Sequence, residues 1–480
     1  MRIGSGVGRD GMDVVRTVRT FPSALIRLPD AEAGMTDTGT GITGSRRRRG
    51  LAVVFFVVFL DLLGFGIIIP ILPYYTRTFP GGTEFVIGLL AASYSAMQFV
   101  FAPLLGSLSD RVGRRPVLVV SLCGSVVAWT VFGLADALWL LFLSRMLAGA
   151  MGGNLSTAQA YVADVTPPER RAAALGFIGA AFGLGFIFGP GIGAVLSFDA
   201  TVAAVAGLLP AAVPISRFSI PSFAAAAASL AGVFVALFFL PESRTASTST
   251  TIERTSGITQ LRTAVATPGL RPLLAAFFLV SFAFSGVQVM FVPYVADIYG
   301  YTAAQSALLL TYIGVVAVIT QGVLVGRLSA RYSPVRLSLF GTGLLVVGVG
   351  AIPASRAIGS VLPDLTALVP FLTADLLGLL LVLTLLPLGN GILSVTLTAL
   401  VSQRASAAVQ GSAFGITQGA GSLARTVGPP VMGGLYFAVG YWSPFVAGSV
   451  LLLPVLWLVS RLGVTQEAYE PRPADPGHAR

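Results

Sequence analysis

Long runs of apolar residues, separated by short polar segments, repeat along the chain. Each run holds about 20 residues, enough for a helix to cross roughly 30 Å of hydrocarbon. The short alternating strands of a membrane barrel are absent from the sequence. The pattern therefore predicts an all-α polytopic membrane protein with twelve transmembrane helices. We place these spans at residues 51–73, 85–105, 116–135, 138–162, 172–196, 221–240, 273–295, 304–326, 335–353, 371–393, 411–438 and 443–460.

Composition supports a membrane protein. Hydrophobic residues make up 55% of the 480 positions and charged residues only 10%, and the mean hydropathy is +0.85. A soluble globular domain does not need so much apolar surface to build its core. Glycine and proline inside the apolar runs do not argue against helices, because both are common in transmembrane helices.

The net charge of +10 has a clear distribution along the chain. Every basic residue is arginine, and nearly all arginines fall in alternate loops. The opposite loops hold only Arg77, Arg217 and Arg356. This asymmetry follows the positive-inside rule, so we expect both termini to be cytoplasmic and the protein to lie in the cell membrane. The charge is then accounted for by topology, and we expect no nucleic-acid partner.

Two pairs of similar segments indicate an internal duplication. GSLSDRVGRR after span 2 is similar to GRLSARYSPVR after span 8, and GFIFGPGIGAVL in span 5 is similar to ARTVGPPVMGGLY in span 11. We predict two pseudo-symmetric six-helix bundles, residues 46–241 and 272–461, an architecture typical of transporters with a substrate site between the halves. The polar segments are interpreted as a disordered cytoplasmic tail (1–45), a cytoplasmic linker (242–271) and a second cytoplasmic tail (462–480). The segment between residues 197 and 219 has room for a short helix at the outer face.

Few side chains could support catalysis, metal binding or nucleotide hydrolysis. Cys123 is the only cysteine and His478 the only histidine, so we expect no metal site built on these residue types. No Walker motif is present, so ATP is not the expected energy source. The membrane-embedded ionisable residues are too few for an acid–base cluster, and we expect neither an enzyme nor a cofactor. They are Asp61, Arg145 and Arg425, with Asp375 near the outer end of span 10.

The segment after span 2 gathers one aspartate and three arginines in six positions. Span 2 ends near this segment, and the carbonyl groups at a helix C-terminus favour nearby cations. Asp110 does not suit that end, so we expect it to be paired or to face the N-terminus of another helix. Gly113 permits a left-handed turn. The alternative is a plain positive-inside loop with one incidental acid. The candidate residues are Gly106, Asp110, Arg111, Gly113, Arg114 and Arg115.

The stretch GSLSDRVGRRPVL closely resembles the signature loop between helices 2 and 3 of the major facilitator superfamily. The resemblance implies that this loop latches the two halves on the cytoplasmic side in the outward-open state. It further implies that Asp110 faces the start of span 11 and that Arg114 pairs with Asp164, in YVADVTPPERR.

Span 5, GFIGAAFGLGFIFGPGIG, resembles the motif of proton-driven exporters in the same superfamily. Small residues four apart also let helices pack closely, so ordinary close packing is the alternative. The motif residues are Gly176, Gly185, Gly189, Pro190 and Gly193.

Three further segments resemble the twelve-span drug:proton antiporter branch, which includes tetracycline exporters. They are FLDLLGFGIIIPILPYY in span 1, LSRMLAGAMGG in span 4 and PES at 241–243. Spans 8 and 9 lack the histidine and the acid that tetracycline exporters tend to carry there, so tetracycline is not implied as the substrate. The resemblance implies an exporter of small amphipathic or lipophilic compounds that works in exchange for protons, and we expect a monomer. A transporter of a defined metabolite, such as a sugar or an amino-acid derivative, is the alternative.

Asp61 lies about ten residues into predicted span 1 and therefore near the bilayer centre. A carboxylate there is costly unless it is paired, protonated or exposed to water, and such residues usually mark ion or proton pathways. Arg145 in span 4 is the expected partner. The two residues therefore form either a proton-coupling site or a permanent structural pair.

The expected substrate cavity is apolar and aromatic, with a few polar side chains. Each of these could equally form an interhelical hydrogen bond. The candidates are Gln98, Asn154, Gln288, Gln321, Asn390 and Gln418.

Overall fold

The computed structural model describes residues 44–207, 215–243, 270–367, 371–404 and 410–467. All regular secondary structure in these ranges is helical, which confirms the predicted fold class. Within the described residues, eleven helices or joined helical segments are long and apolar enough to cross a membrane. The 30-residue helix Gln410–Val439 stands where span 11 was predicted. The predicted tails and linker lie almost wholly outside the described residues.

The first half contains six long helices, and span 4 is divided at Gly153 into two segments. Span 1 ends at Ile68, five residues before the predicted end. Pro70 explains the difference, because its ring clashes with a helical carbonyl four residues earlier. The spans are Gly44–Ile68, Glu84–Val112, Arg114–Gly133, Leu138–Gly152 with Asn154–Val165, Pro168–Leu196 and Ser219–Phe239. Two short helices, Leu72–Arg77 and Asp199–Ala206, follow spans 1 and 5 at the predicted outer face.

The second half repeats this arrangement with two irregular spans. Span 8 continues through a π-helical turn, Thr320–Leu324, and span 9 continues through a short 3₁₀ turn, Ile352–Ala354. Span 10 extends to Arg404, eleven residues beyond the predicted end, because no proline or glycine interrupts it after Gly391. The helices are Arg271–Tyr299, Ala303–Ile319 with Val325–Ser329, Pro334–Ala351 with Ser355–Ser360, Ala374–Arg404, Gln410–Val439 and Ser443–Glu467.

The two halves meet along equivalent helix pairs. Span 2 packs against span 11, and span 5 packs against span 8. A methyl group added at Gly88 would lie 2.3 Å from the carbonyl oxygen of Pro429, and one added at Gly314 would lie 3.1 Å from the carbonyl oxygen of Phe186. Glycine at these crossings lets the backbones approach closely, as small residues do between transmembrane helices.

Single cysteines at Val112 and Val361, in a Cys123→Ser background, test the predicted orientation. Val112 is 54% exposed at the end of span 2 and Val361 is 82% exposed at the opposite end of the bundle. We expect an impermeant maleimide to label Val361→Cys in intact cells and Val112→Cys only after permeabilisation, because the arginine-rich loops stay inside. Equal labelling of both positions in intact cells would contradict this orientation.

Candidate functional site

The Asp61 carboxylate lies within span 1 and contacts two neutral side chains. It accepts a hydrogen bond from Ser125 Oγ in span 3 at 3.2 Å and one from Asn154 Nδ2 in span 4 at 3.3 Å. Asn154 is itself buried, with 6% of its surface exposed. Asp61 therefore joins three helices of the first half, and its hydrogen-bond partners carry no opposite charge.

The expected Asp61–Arg145 ion pair is wrong, because the structure shows no such contact between these two residues. The Arg145 guanidinium lies over the Tyr94 ring at 4.5 Å and over the Phe65 ring at 5.6 Å. Phe65 is one helical turn beyond Asp61, so the arginine packs one turn further out and Asn154 occupies the place beside the carboxylate. Arg145 is 4% exposed, and its Nε has no hydrogen-bond partner among the described residues.

Charged groups from both halves converge on Tyr94 in span 2. The Tyr94 hydroxyl interacts electrostatically with Asp61, Arg145 and Arg425. Arg425 comes from span 11, in the second half, and donates a hydrogen bond to Ser422 Oγ at 3.2 Å. The site therefore combines one carboxylate and two guanidinium groups around a single phenol.

Aromatic rings from three helices of the first half lie beside these charges. The Phe65 ring is 4.9 Å from the Tyr94 ring and 6.0 Å from the Phe186 ring. Phe182 stacks on Phe186 one turn away in span 5, with 5.9 Å between ring centroids. Such a surface presents flat apolar area to a lipophilic compound.

The six predicted polar cavity residues divide into two groups. Gln98 donates to the Gly152 carbonyl oxygen at 3.1 Å, and Asn154 donates to Asp61, so both form interhelical hydrogen bonds. The other four lie in the second half, and their amides have no hydrogen-bond partner within the described part of the chain. Of these, Asn390 is half-buried and the rest are exposed, namely Gln288, Gln321 and Gln418.

The glycine motif of span 5 packs directly against span 1. A methyl group at Gly189 would lie 2.7 Å from the Gly66 Cα, and one at Gly185 would lie 2.8 Å from the Leu62 Cβ. A methyl group at Gly193 would lie 2.9 Å from the Ile67 carbonyl oxygen. Pro190 also borders Gly66. A methyl group at Gly176, in contrast, would meet no described atom within 4 Å.

The loop after span 2 is organised around Arg114, which is only 6% exposed. Its guanidinium pairs with Asp164 at 2.9 Å, the contact that the family resemblance implied, and with Asp110 at 2.8 Å. It also donates hydrogen bonds to the Ser109 hydroxyl oxygen at 2.6 Å and to the Gly106 carbonyl oxygen at 3.5 Å. The expected contact between Asp110 and the start of span 11 involves side chains outside the described residues.

Arg114 and Arg115 follow the C-terminus of span 2 as expected, but they also form the first turn of span 3, which begins two residues before its predicted start. Only Arg111 lies in the last turn of span 2. Cations at a helix N-terminus are unfavourable. Glu242 offsets this, because its carboxylate accepts from the backbone N–H groups of Arg114 and Arg115 at 2.9 and 3.1 Å.

Gly113 makes this arrangement possible. Its φ is +102°, a backbone conformation that other residues rarely adopt. A methyl group there would also lie 2.6 Å from Glu242 Oε2. The sequence singled out PES only for its resemblance to a family motif, and hydropathy gave no sign that its glutamate caps a helix 128 positions earlier.

At the predicted outer face, a network that sequence reasoning missed joins the two halves. Arg77 forms a two-pronged ion pair with Asp297, with N–O distances of 2.7 and 2.8 Å, and contacts Glu84 at 2.7 Å. The Tyr436 hydroxyl donates to Asp297 at 2.6 Å. Arg77 and Glu84 belong to the first half, while Asp297 and Tyr436 belong to the second. The only hint in the sequence was that Arg77 is one of three arginines in the predicted outer loops.

Arg77 remains charged in this network. Its partial burial lowers its pKa, but hydrogen bonds and charges from Asp297 and Glu84 raise the pKa above its usual value overall. A second contact lies nearby, where the Tyr74 hydroxyl donates to the Tyr301 carbonyl oxygen and lies 2.9 Å from the Ser306 hydroxyl. In this structure the halves are therefore tied together at the predicted outer face.

Gly189→Ala and Gly176→Ala form a matched pair that tests the packing of span 5. Both substitutions raise helix propensity equally, but only the first adds a methyl group against span 1. We expect Gly189→Ala to lower the free energy of unfolding by about 1–3 kcal/mol and Gly176→Ala to change it little. Thermal unfolding of the purified variants measures this difference. Equal stability of the two variants would contradict the packing role.

Comparison of the sequence with known proteins identifies the family. The sequence profile described as Major Facilitator Superfamily matches residues 54–429. The tetracycline resistance protein of class G from Vibrio anguillarum is 30% identical over 420 residues, which cover 86% of this chain and 98% of that protein.

Two solved structures are similar in fold. The human organic anion transporter MFSD10 superposes with a TM-score of 0.59 at 25% identity, covering 86% of this chain and 99% of that one. A bacterial homologue of the human lysosomal transporter Spinster superposes with a TM-score of 0.70 at 17% identity, covering 90% of this chain and all of that one.

Proposed function

The chain belongs to the major facilitator superfamily and is a multi-pass membrane transporter of small molecules, and we propose that it exports amphipathic or lipophilic compounds in exchange for protons. It works by alternating access, as a monomer in the cell membrane with both termini in the cytoplasm. The observation that carries the proposal is Asp61, a membrane-embedded carboxylate held by neutral donors alone.

Proton coupling is supported by the surroundings of Asp61. Ser125 and Asn154 can donate to an ionised carboxylate, and their oxygen atoms can also accept from a protonated one. An arginine in direct contact would hold the carboxylate permanently ionised, but Arg145 packs on aromatic rings instead. Asp61 is therefore free to gain and lose a proton, as a carrier requires.

Alternating access is supported by the contacts at the two faces. The Arg77 network ties the halves at the outer face, while each half is held together by its own buried contacts, such as Arg114 with Asp164. Opening towards the outside must break the first set and can leave the second intact. The Arg77 network would be one of the two alternative closures that a bistable transport element needs, and the contact of Asp110 with span 11 that the family resemblance implies would be the other.

The substrate class is supported by the aromatic surface and by the relatives. The rings of Phe65, Tyr94 and Phe186 suit flat lipophilic compounds. One relative is a tetracycline resistance protein and another an organic anion transporter, which supports drug-like or anionic organic molecules as substrates. Arg145 and Arg425 would favour compounds that carry a hydrogen-bond acceptor or a negative group.

A transporter of a defined metabolite is the second candidate, and the unpartnered amides of the second half favour it. Gln288, Gln321, Asn390 and Gln418 could bind hydroxyl or amide groups of a polar substrate. Growth inhibition by a panel of compounds, in a host that lacks its own exporters, separates the two candidates. Protection against several unrelated lipophilic compounds, lost when an uncoupler is added, supports the exporter; protection against none of them supports the metabolite transporter.

Asp61→Asn tests the coupling site, with Asp375→Asn as the matched control. Both substitutions remove one carboxylate, but Asp375 pairs with Arg356 near the predicted outer face. We expect Asp61→Asn to lower the rate of uphill export driven by a pH difference at least tenfold. Substrate exchange should be retained, because only the proton carrier is lost. Asp375→Asn should keep most of the uphill export.

The measurement is efflux of a compound identified in the panel, from proteoliposomes with and without an imposed pH difference. Immunoblotting and size-exclusion chromatography confirm that each variant is folded and present. Uphill export by Asp61→Asn at the wild-type rate would show that another group carries the proton.

Arg77→Gln tests the outer closure. Charged hydrogen bonds of this kind are each worth about 1–3 kcal/mol when removed, enough to shift the populations of two states roughly 5–150-fold. We expect Arg77→Gln to favour the outward-open state and to speed labelling of a reporter cysteine at Gln288 by an external thiol reagent. Arg356→Gln is the control, because Arg356 bonds at the same face but only within the second half. If both variants label at the wild-type rate, the network does not close the outer face.

A further inference from the structure

A groove of about 350 Å³ lies between the predicted cytoplasmic ends of spans 1 and 6. Phe56 and Phe239, which border it, are 43% and 51% exposed, so the groove opens onto the surface of the helix bundle. It lies apart from the Asp61 site, and the proposed transport cycle does not use it. Its lining residues are Arg49, Ala52, Val53, Phe56, Val235 and Phe239.

The groove is polar at one end only. Arg49, Val53 and Phe56 fall on one face of span 1, because residues four and three apart share a helix face. Phe56 lies about 10 Å from Arg49 along the helix axis, towards the middle of the membrane. Span 6 runs in the opposite direction and contributes Phe239 beside Arg49 and Val235 further in. The groove therefore offers a cationic head and an apolar channel to a single amphiphile.

The cationic end is held in position, and Arg49 pairs with no carboxylate in the described part of the chain. The Arg49 guanidinium lies over the Phe239 ring at 5.6 Å, which fixes its place while leaving its N–H donors available. Arg47, Arg48 and Arg49 follow one another at the start of span 1, and none pairs with a carboxylate in the described ranges. Arg115 adds a second guanidinium at the same end of span 6, where it donates to the Leu237 carbonyl oxygen.

We propose that this groove binds an anionic phospholipid of the cytoplasmic leaflet. Its phosphate is held by Arg49 and Arg48, and one acyl chain lies along Val53 and Phe56. Clustered arginines next to a transmembrane helix attract anionic lipids. The positive-inside rule by itself explains the arginines, but it does not explain the groove beside them. Because the site lies on the outside of the first half, lipid bound there would strengthen the packing of span 1 against span 6.

Lipid-dependent thermal unfolding tests the proposal on the full-length protein in a neutral detergent. The probes are dioleoyl phosphatidylglycerol, dioleoyl phosphatidylcholine and inorganic phosphate. We expect phosphatidylglycerol to raise the unfolding midpoint clearly more than the other two, and Arg49→Gln to remove at least half of that rise. Arg331→Gln, which removes an exposed arginine from a predicted cytoplasmic loop of the second half, should keep the full rise.

A second variant tests the channel without changing any charge. Val53→Trp fills the groove and keeps every arginine, so it should also lose at least half of the rise. The proposal is overturned if phosphatidylcholine or inorganic phosphate stabilises the protein as much as phosphatidylglycerol does. It is equally overturned if Arg49→Gln and Val53→Trp both keep the wild-type rise.

Discussion

The rest of the structure depends on how the Asp61 charge is accommodated inside the membrane. A carboxylate at this depth needs hydrogen-bond donors or a proton, and it finds its donors on spans 3 and 4 through Ser125 and Asn154. Those bonds hold three helices of the first half around one group. Span 5 also packs against span 1, because Gly189 lets its backbone lie directly on that helix. A site built in this way is held within its own half, and in the proposed transport cycle its access to water changes through motion between the halves.

The contacts between the halves are suited to that motion. Apolar crossings such as Gly88 on Pro429 involve no directional bonds, whereas the Arg77 network at the predicted outer face is directional and charged. Breaking such a network costs free energy, so in the proposed transport cycle it would set the balance between the two access states. At the other face, Arg114 and Glu242 stabilise the junction between spans 2 and 3. Each half can then move as a unit.

Much of this fold could be predicted from the sequence, because hydropathy, arginine placement and the proline and glycine positions report local properties of each span. The family resemblance also predicted the pairing of Arg114 with Asp164. The partners of Asp61, the helix cap from Glu242 and the Arg77–Asp297 bridge could not be predicted. Each joins residues far apart in the chain, 220 positions for Arg77 and Asp297, and depends on how helices rotate about their axes. The position of Arg145 could not be predicted for the same reason. Its guanidinium lies over the Phe65 ring, one helical turn away from Asp61.

The pH dependence of substrate affinity tests the central claim most directly. If Asp61 exchanges a proton for substrate, the two compete, and the dissociation constant of an exported compound must rise as the pH falls, by up to tenfold per pH unit. The measurement is equilibrium binding to the purified protein over a range of pH, for the wild type and for Asp61→Asn. The account predicts a pH-dependent affinity in the wild type and a pH-independent affinity in Asp61→Asn. The same pH dependence in both proteins would contradict it.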